Sequence, residues 1–362
     1  MNGAALAESL GFDHERVLLV RDAETGMRAA IAIHSTALGP ALGGLRFRRY
    51  PGGVAEALDD VLRLSRAMTL KAASAGLDLG GGKAVLIDDG APAPLRRARI
   101  VVLAREIERL DGAYITAEDV GTTTADMDLV AQWTRHVVGR SGAPGGDGDP
   151  SPATARTVFD AIGAALEALD GDPGLAGRRV GVVGLGKVGG RLARMLLHAG
   201  ATVVGCDPLD AAAAPLVDAG MERAPSPAAV LAAGLDVLAP CALGGLIDEQ
   251  AAAVVRCRVV CGAANNPLDG ERAATALARR GILYVPDFMA NCGGLVHADL
   301  QRRAVDDPAA LERALAAARE RTRSVLLDAR ASRRRAADVA VERARARIAA
   351  ARSAPAGEAV AV

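Results

Sequence analysis

The chain has 362 residues, 51% of them hydrophobic but only 2% aromatic, and 43 acidic residues balance 43 basic ones. That balance gives no electrostatic reason to expect nucleic acid or an anionic membrane surface as a partner, and no apolar run reaches the roughly 18 residues that a membrane span needs. The length favours two domains, with Ala, Val and Leu filling cores that aromatics cannot.

The stretch MNGAALAESLGFDHERV has no basic start followed by an apolar run, so no signal peptide is expected there. Residues 16–50 read as β, with RVLLVRD and MRAAIAIHS forming a hairpin around AETG. GVAEALDDVLRLSRAMTLKAASA, residues 53–75, carries apolar residues at helical spacing. GLDLGGG breaks that helix, and KAVLID starts a strand at Lys83. RARIVVLAREIERL reads as a helix, GAYITAEDVG as a strand running into a loop, and TADMDLVAQWT as a helix. The Gly-, Pro- and Asp-rich GRSGAPGGDGDPSP, residues 139–152, marks the domain boundary. A helix from Thr154 to Leu169 leads into RRVGVVGLGKVGGRLARMLLHAGATVVGCD, which reads strand, Gly turn, helix, strand. DVLAPCA, VVCGAAN and ILYVPDF continue an alternation that implies a parallel sheet. From Asp307 onward the chain is helical and Arg-rich; interleaved acids and the lack of aromatics favour a solvated helix pair over a nucleic-acid arm. The tail SAPAGEAVAV is expected to be disordered.

The segment Gly184, Leu185, Gly186, Lys187, Val188, Gly189 is G-x-G-x-x-G, placed after an apolar strand and opening a helix, with Asp207 ending the next strand. The first glycine makes the turn, the second lets backbone approach a pyrophosphate, and the third lets helix pack on strand. The helix N-terminus offers free N–H groups to phosphate, and Asp207 can accept from ribose hydroxyls, which favours NAD over NADP. A phosphate-loop reading of GLDLGGGK fails, because Leu77 stands where its first Gly belongs and Ala84 where Ser or Thr would hold magnesium. The five cysteines (Cys206, Cys241, Cys257, Cys261 and Cys292) contain no C-x-x-C. They read as reduced thiols of a cytoplasmic protein, and no metal site is expected.

Only three of the 43 basic residues are lysines: Lys71, Lys83 and Lys187. Two flank GLDLGGG. Lysine, unlike arginine, can lose its proton when burial and neighbouring positive charge depress its pKa. Two lysines converging on one cleft would do this to each other: one stays charged to hold a carboxylate and the other cycles as acid and base. In YITAEDVGTTTADMD, a carboxylate at the strand end suits a substrate ammonium; spacing alone does not choose between Asp119 and Glu118, with Asp126 a nearby rival.

ALGPALGGLRF, MTLKAASAGLDLGGGKAV, YITAEDVGTTTADMD, DPSPATA, GLGKVG, CGAANNPL and PDFMANCGGL, in this order over residues 16–300, resemble the glutamate, leucine, phenylalanine and valine dehydrogenase family, closest to its leucine, valine and phenylalanine branch. The resemblance implies NAD-dependent reversible oxidative deamination of an L-amino acid to its 2-oxo acid with release of ammonium. It implies that Lys71 binds the substrate carboxylate, Lys83 is the general base, Asp119 holds the amino group, Thr154 touches the nicotinamide carboxamide, and Asn266 lies near the nicotinamide ribose and substrate. Asn291 would line the pocket. The implied fold is α/β. A substrate-binding, catalytic and oligomerisation domain spans 1–138, and a Rossmann-type doubly wound NAD-binding domain spans 139–330. The active site lies in the cleft between them, and a C-terminal helix over 331–362 returns to the first domain. A homo-oligomer is expected.

Glutamate-specific relatives carry a lysine where this chain has Leu42, so a second substrate carboxylate would be desolvated without a partner. Gly43, Gly44, Ala117, Leu295 and Ala298 are expected to line the same pocket. TAED resembles the leucine-type enzymes and NCGGL the phenylalanine-type; branched aliphatic substrates are favoured, with phenylalanine the alternative. A catalytically silent NAD-binding sensor would keep GLGKVG without the chemistry. A 2-hydroxyacid dehydrogenase would need a His–carboxylate pair, and from sequence no acid can be matched to His297.

Overall fold

The computed structural model describes residues 13–142, 148–242 and 244–353. The N-terminal stretch before Asp13, part of the Gly-rich boundary and the tail beyond Ser353 lie outside these residues, and with them most of the segments read as leaderless and as disordered. The chain forms two compact units. One is built from residues up to 149 with 298–306 and 344 onward, the other from 150–297 and 307–343.

The first unit starts with strands β1 (Arg16–Asp22) and β2 (Met27–Ser35), an antiparallel hairpin paired from Arg16↔Ile33 to Asp22↔Met27. Asp22 fixes its turn by accepting from the Thr25 amide and hydroxyl. Strand β3 (Ala41–Arg48), helix α1 (Gly53–Ala75), strand β4 (Gly80–Ile87), helix α2 (Ala93–Glu108), strand β5 (Tyr114–Glu118) and helix α3 (Thr124–Val130) follow. The sheet order is β1-β2-β4-β3-β5, with β3 parallel to both β4 and β5. One face packs Ala30, Ala32, Val85 and Ile87 against Ala57 and Val61 of α1. The other packs Ile31, Ile33, Ala84 and Leu86 with residues of α2 and α3. Alternation along β4 therefore puts Gly81 and Lys83 on the α1 face with Val85.

The strand expected to begin at Lys83 begins at Gly80. Gly80, Gly81 and Gly82 do not form a turn; they are fully extended and buried because three neighbours press on them. A Cβ on Gly80 would sit 1.9 Å from the Ser35 carbonyl, on Gly81 2.1 Å from the Thr69 backbone nitrogen, and on Gly82 2.5 Å from the Tyr114 ring. Their glycine identity lets α1, β2 and Tyr114 close on the strand.

The second unit alternates strand and helix. In order it runs α4 (Ser151–Asp170), β6 (Arg179–Val183), α5 (Lys187–His198), β7 (Thr202–Cys206), α6 (Asp210–Val217), β8 (Glu222–Arg223), α7 (Pro227–Ala232) and β9 (Val237–Pro240). Then come α8 (Glu249–Val254), β10 (Val259–Val260), α9 (Gly270–Arg279), β11 (Leu283–Tyr284) and α10 (Asp287–Ala290). All strand pairs are parallel, in the order β11-β10-β9-β6-β7-β8. This is a doubly wound sheet whose strand order reverses between β6 and β9, the crevice where such sheets take ligands.

Helices α11 (Gly293–Arg302), α12 (Pro308–Ser332) and α13 (Ala336–Ser353) complete the chain. The first compact unit takes in 298–306 and the segment from 344, and the second takes in 307–343. Two of the four divisions fall inside α11 and α13, where an unbroken helical pattern leaves no sign of a boundary. In the first unit, Ala344 and Ile348 pack on Ala73. Arg347 donates to the Ala73 carbonyl at 3.3 Å, in the last turn of α1, and to the Leu77 carbonyl at 2.7 Å just past it, and pairs with Asp78 at 2.8 Å, which ties down that helix end.

Gly81→Ala tests the packing account. The methyl group has backbone, not a flexible side chain, in its way, so a loss of at least about 1–3 kcal/mol is expected in denaturant unfolding. Wild-type stability in that variant would contradict the role given to this glycine.

Candidate active site

Lys83 is 4% exposed in the middle of β4. The neighbouring strands leave it room: Gly44 lies beside it on β3, and a Cβ there would stand 2.6 Å from Asp119 Cβ and 3.2 Å from Lys83 Nζ. Asp119 follows the end of β5, one turn of alternation beyond Ala117, which pairs with Gly44. Its Oδ2 lies 2.9 Å from Lys83 Nζ. Thr122 holds the loop in place. Its hydroxyl donates to the Leu45 carbonyl at 2.9 Å and accepts from the Asp119 amide at 2.9 Å.

The geometry separates the rival acids. Glu118 accepts from the Thr124 hydroxyl at 3.1 Å. Asp126 caps α3 and pairs with Arg96 at 2.6 Å. Asp119 alone of the three meets the lysine.

A group that the sequence reading left without a role completes the cluster. Arg46, two residues past Gly44 on β3, donates Nε to Asp119 Oδ2 at 2.7 Å and Nη1 to Asp60 Oδ2 at 2.9 Å. Asp60, on the buried face of α1, also accepts from the Tyr50 hydroxyl at 2.9 Å and from Arg63 at 2.6 Å. Two signals in the sequence point here. Arg46 shares the alternation of Leu42 and Gly44, and Asp60 interrupts an apolar helix face between Ala57 and Val61.

Burial lowers the Lys83 pKa from the ordinary lysine range, and Arg46 adds to this while Asp119 opposes it. The sequence alone points to burial as one cause, with Lys71 as the neighbouring cation; burial is the first cause here, and Arg46 is a neighbouring cation that adds to it. Burial alone would push the Asp119 carboxyl up, but the Lys83 and Arg46 charges outweigh it and hold it low. Asp119 is therefore ionised, and its Oδ1 accepts no hydrogen bond among the described residues. Lys71 sits half-buried on α1, two residues past Thr69, whose backbone presses on Gly81. Leu42 is buried on β3, Gly43 touches the Gly82 carbonyl, and Ala117 is partly exposed on β5.

The second unit carries its own cluster. Gly184 ends β6 at φ +93°, and a Cβ there would meet the backbone of Ala242 across the point where strand order reverses. A Cβ on Gly189 would lie 1.9 Å from the Gly184 carbonyl, so helix α5 closes on the strand only with glycine. Gly186, at the N-cap of α5, faces open space and has no side-chain cap. Leu185 is buried, Lys187 is exposed and Val188 is partly buried. Asp207 accepts from the Leu185 amide at 2.7 Å and the Leu209 amide at 2.9 Å. Each carboxylate oxygen keeps a free lone pair beside a bare helix N-terminus, an arrangement that fits a dinucleotide's ribose and pyrophosphate.

Asn266 adopts φ +49°, a left-handed conformation that Asn tolerates, and its amide donates to Asp287 at 2.7 Å. Asn291, 3% exposed, donates Nδ2 to the Ala263 carbonyl and to Asn265 Oδ1. It braces the Asn265–Asn266 loop. Thr154 donates to the Pro150 carbonyl at 2.9 Å and lies against Gly294. Leu295 and Ala298, three residues apart, share one side of α11.

Comparison with known proteins accords with this arrangement. A family model described as Glu/Leu/Phe/Val dehydrogenase, dimerisation domain, matches residues 14–136, and one described as Glutamate/Leucine/Phenylalanine/Valine dehydrogenase matches residues 209–343. A valine dehydrogenase of Streptomyces virginiae is 47% identical over 301 residues, 81% of this chain and 82% of its own. A leucine dehydrogenase of Geobacillus stearothermophilus is 43% identical over 286 residues, 79% and 77% of the two chains. Among solved structures, an L-tryptophan dehydrogenase from Nostoc punctiforme superposes with TM-score 0.83 at 31% identity, covering 97% of this chain and all of that one.

Gly186→Val fills the open space over the loop. Titration of reduced pyridine dinucleotide by its own fluorescence is expected to show affinity weakened at least about tenfold with the thermal midpoint unchanged. Undiminished affinity would contradict the assignment of this loop.

Proposed function

This chain belongs to the glutamate, leucine, phenylalanine and valine dehydrogenase family, and from that premise we propose that it is an NAD-dependent amino-acid dehydrogenase acting on branched aliphatic L-amino acids. The net reaction converts amino acid, water and oxidised dinucleotide to 2-oxo acid, ammonium, reduced dinucleotide and a proton, and it is reversible. The observation that carries the reading is the buried Lys83–Asp119 pair at 2.9 Å.

Lys71 binds the substrate carboxylate. Asp119, through Oδ1, takes the substrate amino group and then faces the positive iminium formed when hydride leaves Cα. Lys83, made acidic by burial, takes the proton of the water that adds to that carbon and returns it to the departing ammonia. When bound, the nicotinamide supplies the hydride acceptor. Members of this family depend on a pyridine nucleotide; the preference for NAD rests on Asp207, whose charge would repel a ribose 2′-phosphate. Gly184, Leu185, Gly186, Lys187, Val188 and Gly189 would hold the pyrophosphate, Thr154 the carboxamide, and Asn266, braced by Asn291, the ribose.

Leu42, 2% exposed, supports an apolar substrate side chain, because a second carboxylate beside it would be buried without a cation. Gly43, Gly44 and Ala117 of the first unit would lie beside the same side chain. Valine and leucine dehydrogenases among the relatives support the branched-chain reading over phenylalanine. A silent sensor would have no use for a lysine kept buried at a cost. No helix among the described residues is long and apolar enough to cross a membrane. Assembly into an oligomer, proposed here as a homo-oligomer, is supported by the match to a dimerisation-domain model. The five cysteines form no disulfide, which is in keeping with the proposed cytoplasmic setting.

The test is kcat/KM for valine, leucine, isoleucine, phenylalanine and glutamate at alkaline pH, with Lys83→Ala in parallel. Valine, leucine or isoleucine is expected to lead, glutamate to be negligible, and the variant to lose about 10²–10⁴-fold in turnover while still binding dinucleotide. No turnover of any apolar amino acid by dinucleotide-binding wild type would overturn the reading.

A further inference from the structure

Lys83 Nζ and Arg46 Nε address the same oxygen of Asp119, at 2.9 and 2.7 Å. If Lys83 acts as a base, there is a stage at which it is neutral. A carboxylate paired with it alone would then be a buried anion facing an uncharged amine. Arginine does not lose its proton, so a guanidinium on Oδ2 keeps a cation there at every stage. Its planar fork allows a second engagement: while Nε holds Asp119, Nη1 holds Asp60, itself fixed by Tyr50 and Arg63. A lysine at 46 has one nitrogen and could not span both carboxylates with this geometry.

We propose that Arg46, anchored from behind by Asp60 and Tyr50, is a positioning residue that holds Asp119 in place and balances its charge while Lys83 gives up its proton. The proposal rests on the reading of Lys83 as the base. The chain from α1 through β3 to β4 couples the helix that carries Lys71 to the reacting groups. The charged groups that bear on Lys83 are Arg46 on β3, Asp119 past the end of β5 and Asp60 on α1; behind them Arg63 pairs with Asp60 at 2.6 Å, Tyr114 on β5 feels the Asp119 charge, and His34 on β2 has its Nδ1 2.8 Å from the Thr69 hydroxyl of α1. Among these, Arg46 disfavours the lysine's charge, and Asp119 and Asp60 favour it.

These signs make the test selective. The acid limb of kcat/KM against pH, with valine or leucine as substrate, is read for wild type, Arg46→Gln, Arg46→Lys and Asp60→Asn. Arg46→Gln is expected to move the limb to higher pH by about one unit or more, with activity partly restored at high pH and by added guanidinium. Asp60→Asn removes an anion and is expected not to raise the limb. Arg46→Lys is expected to leave the limb in place but lower kcat, since it reaches one carboxylate only. An immobile limb in an active Arg46→Gln enzyme overturns the proposal, as does an equal upward shift in Asp60→Asn, which a merely structural role would give. If Arg46→Gln fails to fold, Arg46→Lys decides: wild-type kcat with an unchanged profile overturns it. Wild type inactive on every apolar amino acid would instead sink the underlying functional reading.

Discussion

A charged amine in the middle of a buried β-strand is the constraint around which the first unit is arranged. Removing one partner from a buried ion pair costs about 3–5 kcal/mol, so Lys83 and Asp119 have to arrive together. Their meeting needs empty space, and Gly44 supplies it: any side chain there would collide with both. It needs the β5 end held at one height, and Thr122 ties that loop to the Leu45 carbonyl. It also needs α1 close to the sheet, which the missing side chain of Gly81 permits. The same helix delivers Asp60 to Arg46, and the returning C-terminal segment fastens its far end through Arg347. Sheet, helix and tail thus converge on one ionic cluster whose members are useful because they are costly to bury.

The second unit solves a different problem with the same residue. At its strand-order reversal, Gly184 and Gly189 let β6, α5 and the loop after β9 close up, whereas Gly186 leaves a gap. Asp207 spends one lone pair of each oxygen on backbone amides and so is rigid before any ligand arrives. A rigid acceptor and exposed N–H groups lose little entropy on binding, a form of preorganisation.

The parts most legible in the sequence were those fixed by local rules. The β1–β2 hairpin follows from alternation around a turn, α1 from apolar spacing, and the dinucleotide loop from glycines between an apolar strand and a helix. What local pattern does not encode is who presses on whom. Gly80, Gly81 and Gly82 look like a breaker because glycine is permissive, yet here they are strand residues pressed by distant backbone and an aromatic ring. The choice between Asp119 and Glu118 turned on strand register, which brings one carboxylate to β4 and the other to α3. Scarcity points to Lys71 as the neighbour that loads Lys83, and it says nothing of Arg46, which is one of 40 arginines. The unit boundaries inside α11 and α13 leave no sequence mark, since a helix crosses them without a change of pattern.

Three lysines in the chain make the central claim directly measurable. With lysine labelled at Cε by carbon-13, the resonance missing from Lys83→Arg belongs to Lys83, and its chemical shift can be followed against pH in the wild-type protein. Burial and the Arg46 charge lead to the expectation that it titrates below the ordinary 10.5. A Lys83 amine that stays protonated up to or beyond that value would contradict the account at its root.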